Sequence, residues 1–168
     1  MSTNSVISVK HPDGTFAAVS CHYDGYHTGV GATLVHYYRN YERVKRLIQL
    51  GNLSTVCPRI SPPDGVPHNF EKRHELTTTA YIRDRGEGPQ NRARHFRSFD
   101  EMDDFFGREH VYVFDACPNA EEGIWTYWDR ASRKQHVLPI WLEDRWLDRL
   151  DYLSNCDVNY LREDLDEA

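Results

Sequence analysis

Between Cys21 and Tyr38 the chain reads CHYDGYHTGVGATLVHYY, bringing together one thiol, three imidazoles, a carboxylate, four phenols and three glycines. Three chemistries are open to such a set. Cys21 with His22 or His27 offers a nucleophile and a base, although adjacent residues of a strand point to opposite faces and cannot pair directly. His22, Asp24 and His27 carry metal-ligating atoms, but at no spacing that matches a helix face or a paired knuckle. The segment GVGAT resembles a phosphate cradle, since free N–H groups at a helix start attract anions. It lacks both the third glycine of a dinucleotide fingerprint and the Lys-Ser/Thr of a P-loop. The structural alternative is simpler: Asp24-Gly25 turns the chain, Thr28 caps a helix, Gly29 and Gly31 allow close packing, and the tyrosines bury rings. That reading places His22, Asp24 and Tyr26 beside the first helical turn, hydrogen-bonded to backbone or to one another.

A second set lies in RDRGEGPQNRARHFR, where Arg83, Arg85, Arg92, Arg94 and Arg97 outnumber Asp84 and Glu87. With Arg39, Arg43 and Arg46 on the outer face of a preceding helix, these guanidiniums could form a surface for phosphate or carboxylate. A solvated, partly self-paired loop is the plainer reading.

The elements that must position these groups follow from pattern. VISVK and TFAAVSC, separated by HPDG, read as a hairpin. Leu34, Tyr38, Tyr41, Val44 and Ile48 recur at helical spacing and predict one helix over 31–48, ended near Gly51. Residues 57–74 hold four prolines and no period, the mark of a long irregular surface excursion. ELTTTAYIRD is expected to be a third strand. SFDEMDDFFG carries the Ser98/Glu101 capping-box spacing ahead of Met102, Phe105 and Phe106. HVYVFDA and GIWTYWD are further strands. From about residue 139 an acidic helix is expected, with Trp141, Leu142, Trp146 and Leu147 on its apolar side and Asp144, Asp148 and Asp151 on its rim. The expected fold is α+β: about five mainly antiparallel strands with two or three helices, in a single domain over 1–168.

Charge is divided along the chain. Residues 1–97 carry 13 Lys+Arg against 8 Asp+Glu, whereas residues 98–168 carry 7 against 18. That polarity suits an acidic face meeting a basic partner and disfavours nucleic acid as a ligand. Four dispersed cysteines without a C-x-x-C pair argue against a zinc ribbon and a disulfide framework, and suggest reduced thiols in a cytoplasm. No apolar run reaches the roughly 18 residues of a membrane helix, and no leader pattern opens the chain.

Taken as blocks, CHYDGYHTGVGATLVHYY, LGNLS, YIRDRGE and HVYVFD resemble a group of small proteins of bacteriophages, prophages and related mobile elements. Cys21, His22, Tyr23, Asp24, Gly25, Tyr26, Gly29, Gly31, His36, Tyr37 and Arg83 to Glu87 fall on its pattern. The group carries no established activity to transfer. What the resemblance implies is an accessory protein that binds a host protein, inhibiting a defence system or redirecting a host enzyme. The acidic C-terminal helix makes a homodimer a further option, and the residue spacings lead to no expected cofactor or metal. The alternative expectation is a small enzyme or binding protein for a nucleotide or phosphate-bearing ligand, with His22, Asp24 and His27 as acid or base and Arg83 and Arg85 as anion clamps.

Overall fold

The computed structural model describes residues 2–116 and 123–138. The expected acidic helix, with Asp144, Asp148 and Asp151, lies outside them. The described residues form an α+β fold around one mixed sheet of eight strands, more than the five expected. The strands are β1 (Ser5–Lys10), β2 (Phe16–Cys21), β3 (Leu53–Thr55), β4 (Thr79–Ala80), β5 (Arg94–Phe96), β6 (His110–Asp115), β7 (Ile124–Asp129) and β8 (Lys134–Val137). They run in the order β4-β3-β2-β1-β6-β7-β8, with β5 paired to β2. Pairings are mainly antiparallel, but β1–β6 and β2–β3 are parallel. No described helix is long and apolar enough to cross a membrane.

Hairpin β1–β2 forms as its pattern requires, with Gly14 taking φ +87° in the turn. Strand β1 lies between β2 and β6 and is buried on both faces. Ile7 and Val9 enter one core with Val44, Leu47, Ile48, Tyr112 and Phe114. Val6 enters a second core with Phe96, Met102 and Val113. Helices α1 (Ala32–Tyr37) and α2 (Tyr41–Gln49) contribute to the first core, and α4 (Phe99–Phe106) to the second. Ser98 caps α4 by accepting from Glu101 N at 3.2 Å, and the Glu101 carboxylate reaches back to Arg97 N at 3.0 Å.

Three local expectations are corrected. The helix expected over 31–48 is two helices preceded by a π-helical turn at His27–Gly31. The break falls at Tyr38 (φ −116°, ψ 75°), and Asn40 caps α2 by accepting from Arg43 N at 2.9 Å. Arg43, expected on the outer face, is buried instead. It donates to the carbonyls of Tyr37 (2.9 Å) and Pro58 (2.7 Å) and lies 4.8 Å above the Tyr38 ring. Finally, ELTTTAYIRD gives only the two-residue β4 before turning into α3 (Tyr81–Arg85), which ends at Gly86 with φ +68°.

The outer edge of β2 is shared. Strand β5 pairs with Phe16–Ala18 and β3 with Cys21. Between them the N–H of Ser20 is satisfied by the side-chain oxygen of Asn52 at 3.0 Å. Asn52 N also donates to Asn91 O at 2.7 Å, and Tyr81 N donates to Asn52 O at 3.2 Å. This knot requires Gly51: its φ is +82°, and a Cβ there would lie 2.3 Å from Asn91 O.

Candidate functional site

The opening stretch is built mainly as architecture. Cys21 is fully buried, with Sγ 3.6 Å from Tyr23 O and 3.8 Å from Ser54 O, and burial pushes its thiol up to about 12. No useful thiolate forms near neutral pH, which removes Cys21 as a nucleophile. His22 N donates to Leu53 O at 3.0 Å and its ring packs edge-on against Tyr23 at 4.4 Å. Asp24 adopts φ +57°; its carbonyl accepts from Val30 N at 2.8 Å and its carboxylate from Tyr26 OH at 3.1 Å. His27 sits in the π-helical turn with its ring 6.1 Å from that of Tyr127. His22, Asp24 and His27 thus answer to three different neighbours. Among the described residues no group of three or more His, Cys, Asp or Glu is placed to hold a metal.

The glycines act through close approach. A Cβ at Gly29 would meet Asp24 O at 2.3 Å, one at Gly25 would meet Thr3 O at 2.7 Å, and one at Gly31 would meet the Tyr112 ring at 3.1 Å. Two amides that a phosphate cradle would offer are already used, Gly29 N by Tyr26 O (2.9 Å) and Val30 N by Asp24 O (2.8 Å). That occupancy argues against an anion site on GVGAT.

Arg83 and Asp84 are likewise committed. Arg83 donates to Ile60 O (2.7 Å) and Thr78 O (2.7 Å), and both Nε and Nη2 meet the Asp84 carboxylate at 2.9 and 3.0 Å. Asp84 also accepts from Ala80 N at 2.7 Å and lies 3.6 Å from the buried His68 Nε2. His68 Nδ1 accepts from His74 N at 3.0 Å, so in the neutral ring the proton sits on Nε2, facing Thr78 O at 3.2 Å. Desolvation lowers the His68 pKa, opposed by the Asp84 charge. Arg83 therefore fastens the irregular 57–78 segment to α3 and is not a free anion clamp.

What the structure does assemble at the surface is a set of stacked rings and guanidiniums. Arg85 lies over both Phe70 (4.3 Å) and Tyr81 (5.0 Å), whose rings are 5.3 Å apart, while Arg73 lies over Phe70 at 4.7 Å. Arg85 is also paired with Glu87 at 2.7 Å. The Tyr81 hydroxyl faces Ser54, whose carbonyl accepts from Tyr23 N at 3.0 Å; burial raises the Tyr81 pKa against that hydroxyl. Tyr23 itself is 44% exposed and Tyr26 39%. The CHYDGY and YIRDRGE blocks therefore meet across Ser54. Phe70 and Arg73 were not legible as site residues, because 57–74 has no period, and Ser54 lies in a three-residue strand too short to carry one; the aromatic-basic pairing within NFEKRH was the available signal.

Arg92 and Arg94 stand apart from this face. Both are exposed, Arg94 lies 4.6 Å above the half-exposed Phe105 ring, and neither forms an ion pair among the described residues.

No protein-family model, no curated protein and no solved structure matches the chain.

Proposed function

We propose that this protein acts by binding, as an accessory protein of the phage or mobile-element type that engages a host protein and thereby inhibits a defence system or redirects a host enzyme. The contact surface is the face formed by Tyr23, Phe70, Tyr81 and Arg85. The observation that carries this reading is the convergence of CHYDGY and YIRDRGE across Ser54, which leaves stacked rings and guanidiniums at the surface. Tyrosine and arginine supply a large share of the binding energy at protein interfaces, because each combines apolar contact area with directional hydrogen bonds. The competing nucleotide or phosphate reading asks Arg83 and Arg85 for free charge, and each already faces a carboxylate.

The test is a pulldown from host lysate, with and without nuclease treatment, using tagged wild type and the double variant Tyr23→Ala/Arg85→Glu. A protein retained by wild type and lost by the variant is expected. Retention by both, or loss on nuclease treatment, overturns the assignment.

A further inference from the structure

Resting on that binding reading, we infer that the same face captures a carboxylate side chain from an acidic segment of the protein partner, with Arg73 as its receptor. Three guanidiniums lie on or beside this face, and two of them are spent. Arg83 is held by Asp84 and two carbonyls, and Arg85 is neutralised by Glu87 at 2.7 Å. Arg73 differs: among the described residues its hydrogen bonds are two long ones, to Phe70 O at 3.4 Å and Ser54 Oγ at 3.5 Å, and it has no carboxylate partner there. A guanidinium has five N–H donors in a planar fork, so most of its capacity faces outward.

The side chain is also preorganised. Its guanidinium rests over Phe70, and the Phe70 ring is itself in contact with both Tyr81 and Arg85. A planar fork held over a ring is suited to bidentate capture of a carboxylate. The exposed ring of Tyr23 and the Tyr81 ring beside Ser54 supply apolar contact for the residue flanking that carboxylate.

Charge counting selects a protein over a nucleic acid. Nucleic-acid binding at physiological salt rests on roughly 6 to 10 neutralised phosphates, each contributing about 0.9 to the salt slope. This face offers one unneutralised guanidinium, and the adjoining Glu71 and Lys72 are of opposite charge. One guanidinium suffices for one carboxylate, whereas a polyanion that needs several phosphate contacts gains little.

The arginine Nε–Hε resonances of the full chain report the event in solution. Three probes are titrated at low salt: a short synthetic peptide alternating glutamate with leucine and tyrosine, the same peptide with glutamine for glutamate, and oligothymidylate. The acidic peptide is expected to shift the Arg73 Nε–Hε signal saturably and the glutamine peptide to bind roughly tenfold more weakly. With the Arg85 Nε–Hε signal as the reporter retained in the variants, Arg73→Gln should weaken the acidic peptide to the level of the glutamine peptide and Arg73→Lys should weaken it several-fold, both with unchanged thermal unfolding. Saturation by oligothymidylate but not by the acidic peptide overturns the inference in favour of a polyanion. Equal binding of the acidic and glutamine peptides, or no response to any probe, overturns it outright. In either case a pulldown partner lost with Tyr23→Ala/Arg85→Glu leaves the broader binding reading standing.

Discussion

The indole Nε1–H of Trp125 donates to the carbonyl of Tyr38 at 2.7 Å, joining residues 87 positions apart. In an unbroken helix that carbonyl would accept from the amide of Glu42. Here Trp125 takes the bond, and Asn40 starts a new helix. Trp125→Phe keeps most of the ring volume and leaves the Tyr38 carbonyl without this donor. A loss of about 1–3 kcal/mol in denaturant unfolding is expected; a change below about 0.5 kcal/mol would show that the bond is dispensable.

Two glycines with positive φ separate conformational strain from close approach. Gly51→Ala brings a Cβ to 2.3 Å from Asn91 O, whereas Gly14→Ala meets nothing within 4 Å. The Gly14 variant should lose about 1 kcal/mol from the left-handed backbone alone. The Gly51 variant should lose clearly more and should expose the Asn52 N–H to hydrogen exchange. Equal losses would mean that the Asn52–Asn91 contact yields freely.

Arg83→Ala removes donors from the carbonyls of Ile60 and Thr78 and leaves Asp84 without its guanidinium. The 57–78 segment should loosen, with trypsin cutting native protein at Lys72 or Arg73 faster than in wild type. Unchanged cleavage would assign the fastening of that segment to His68 and Arg43 instead.

His11, His68 and His110 all have pKa values lowered from the ordinary 6.5, in each case chiefly through desolvation. The folded state therefore holds fewer protons on these rings than the unfolded chain. Their stability contribution is complete above pH 6.5 and is lost as pH falls from there through the folded-state pKa values. Unfolding free energy should decline between about pH 7 and pH 5, and His68→Gln should flatten the decline. A flat profile in wild type would contradict the burial of these rings.

Burial pushes Cys21 up to about 12 and Cys57 up to about 11. Iodoacetamide at neutral pH should leave both unmodified in native protein and modify both after denaturation, as read by peptide mapping. Rapid native alkylation of Cys21 would require an opening absent from this fold.

Local chemistry determined the β1–β2 hairpin, β6, β7 and α4. Their signals, alternation around HPDG, β-branched and aromatic runs, and Ser98 three residues before Glu101, act between neighbours in the chain. The same holds for Gly29, crowded by nearby Asp24, whereas Gly25 and Gly31 are crowded by Thr3 and Tyr112 from distant parts of the chain. Tertiary structure decided the rest. Periodicity from Leu34 to Ile48 is compatible with one helix, and only the donor on Trp125 and the caps at Asn40 mark two. Arg43 reads as a surface charge until Tyr37 O and Pro58 O, carbonyls freed by the break and the irregular segment, draw it inward. The three-residue strands β3 and β5 are too short to carry a period, and they exist because β2 has an edge whose N–H and C=O groups require partners. The arginine–aromatic face follows the same rule: Phe70 lies in a segment without pattern and Tyr81 in α3, and tertiary bonds such as those from Arg83 to Ile60 and Thr78 and from Arg43 to Pro58 bring the two rings to one face with Arg73 and Arg85.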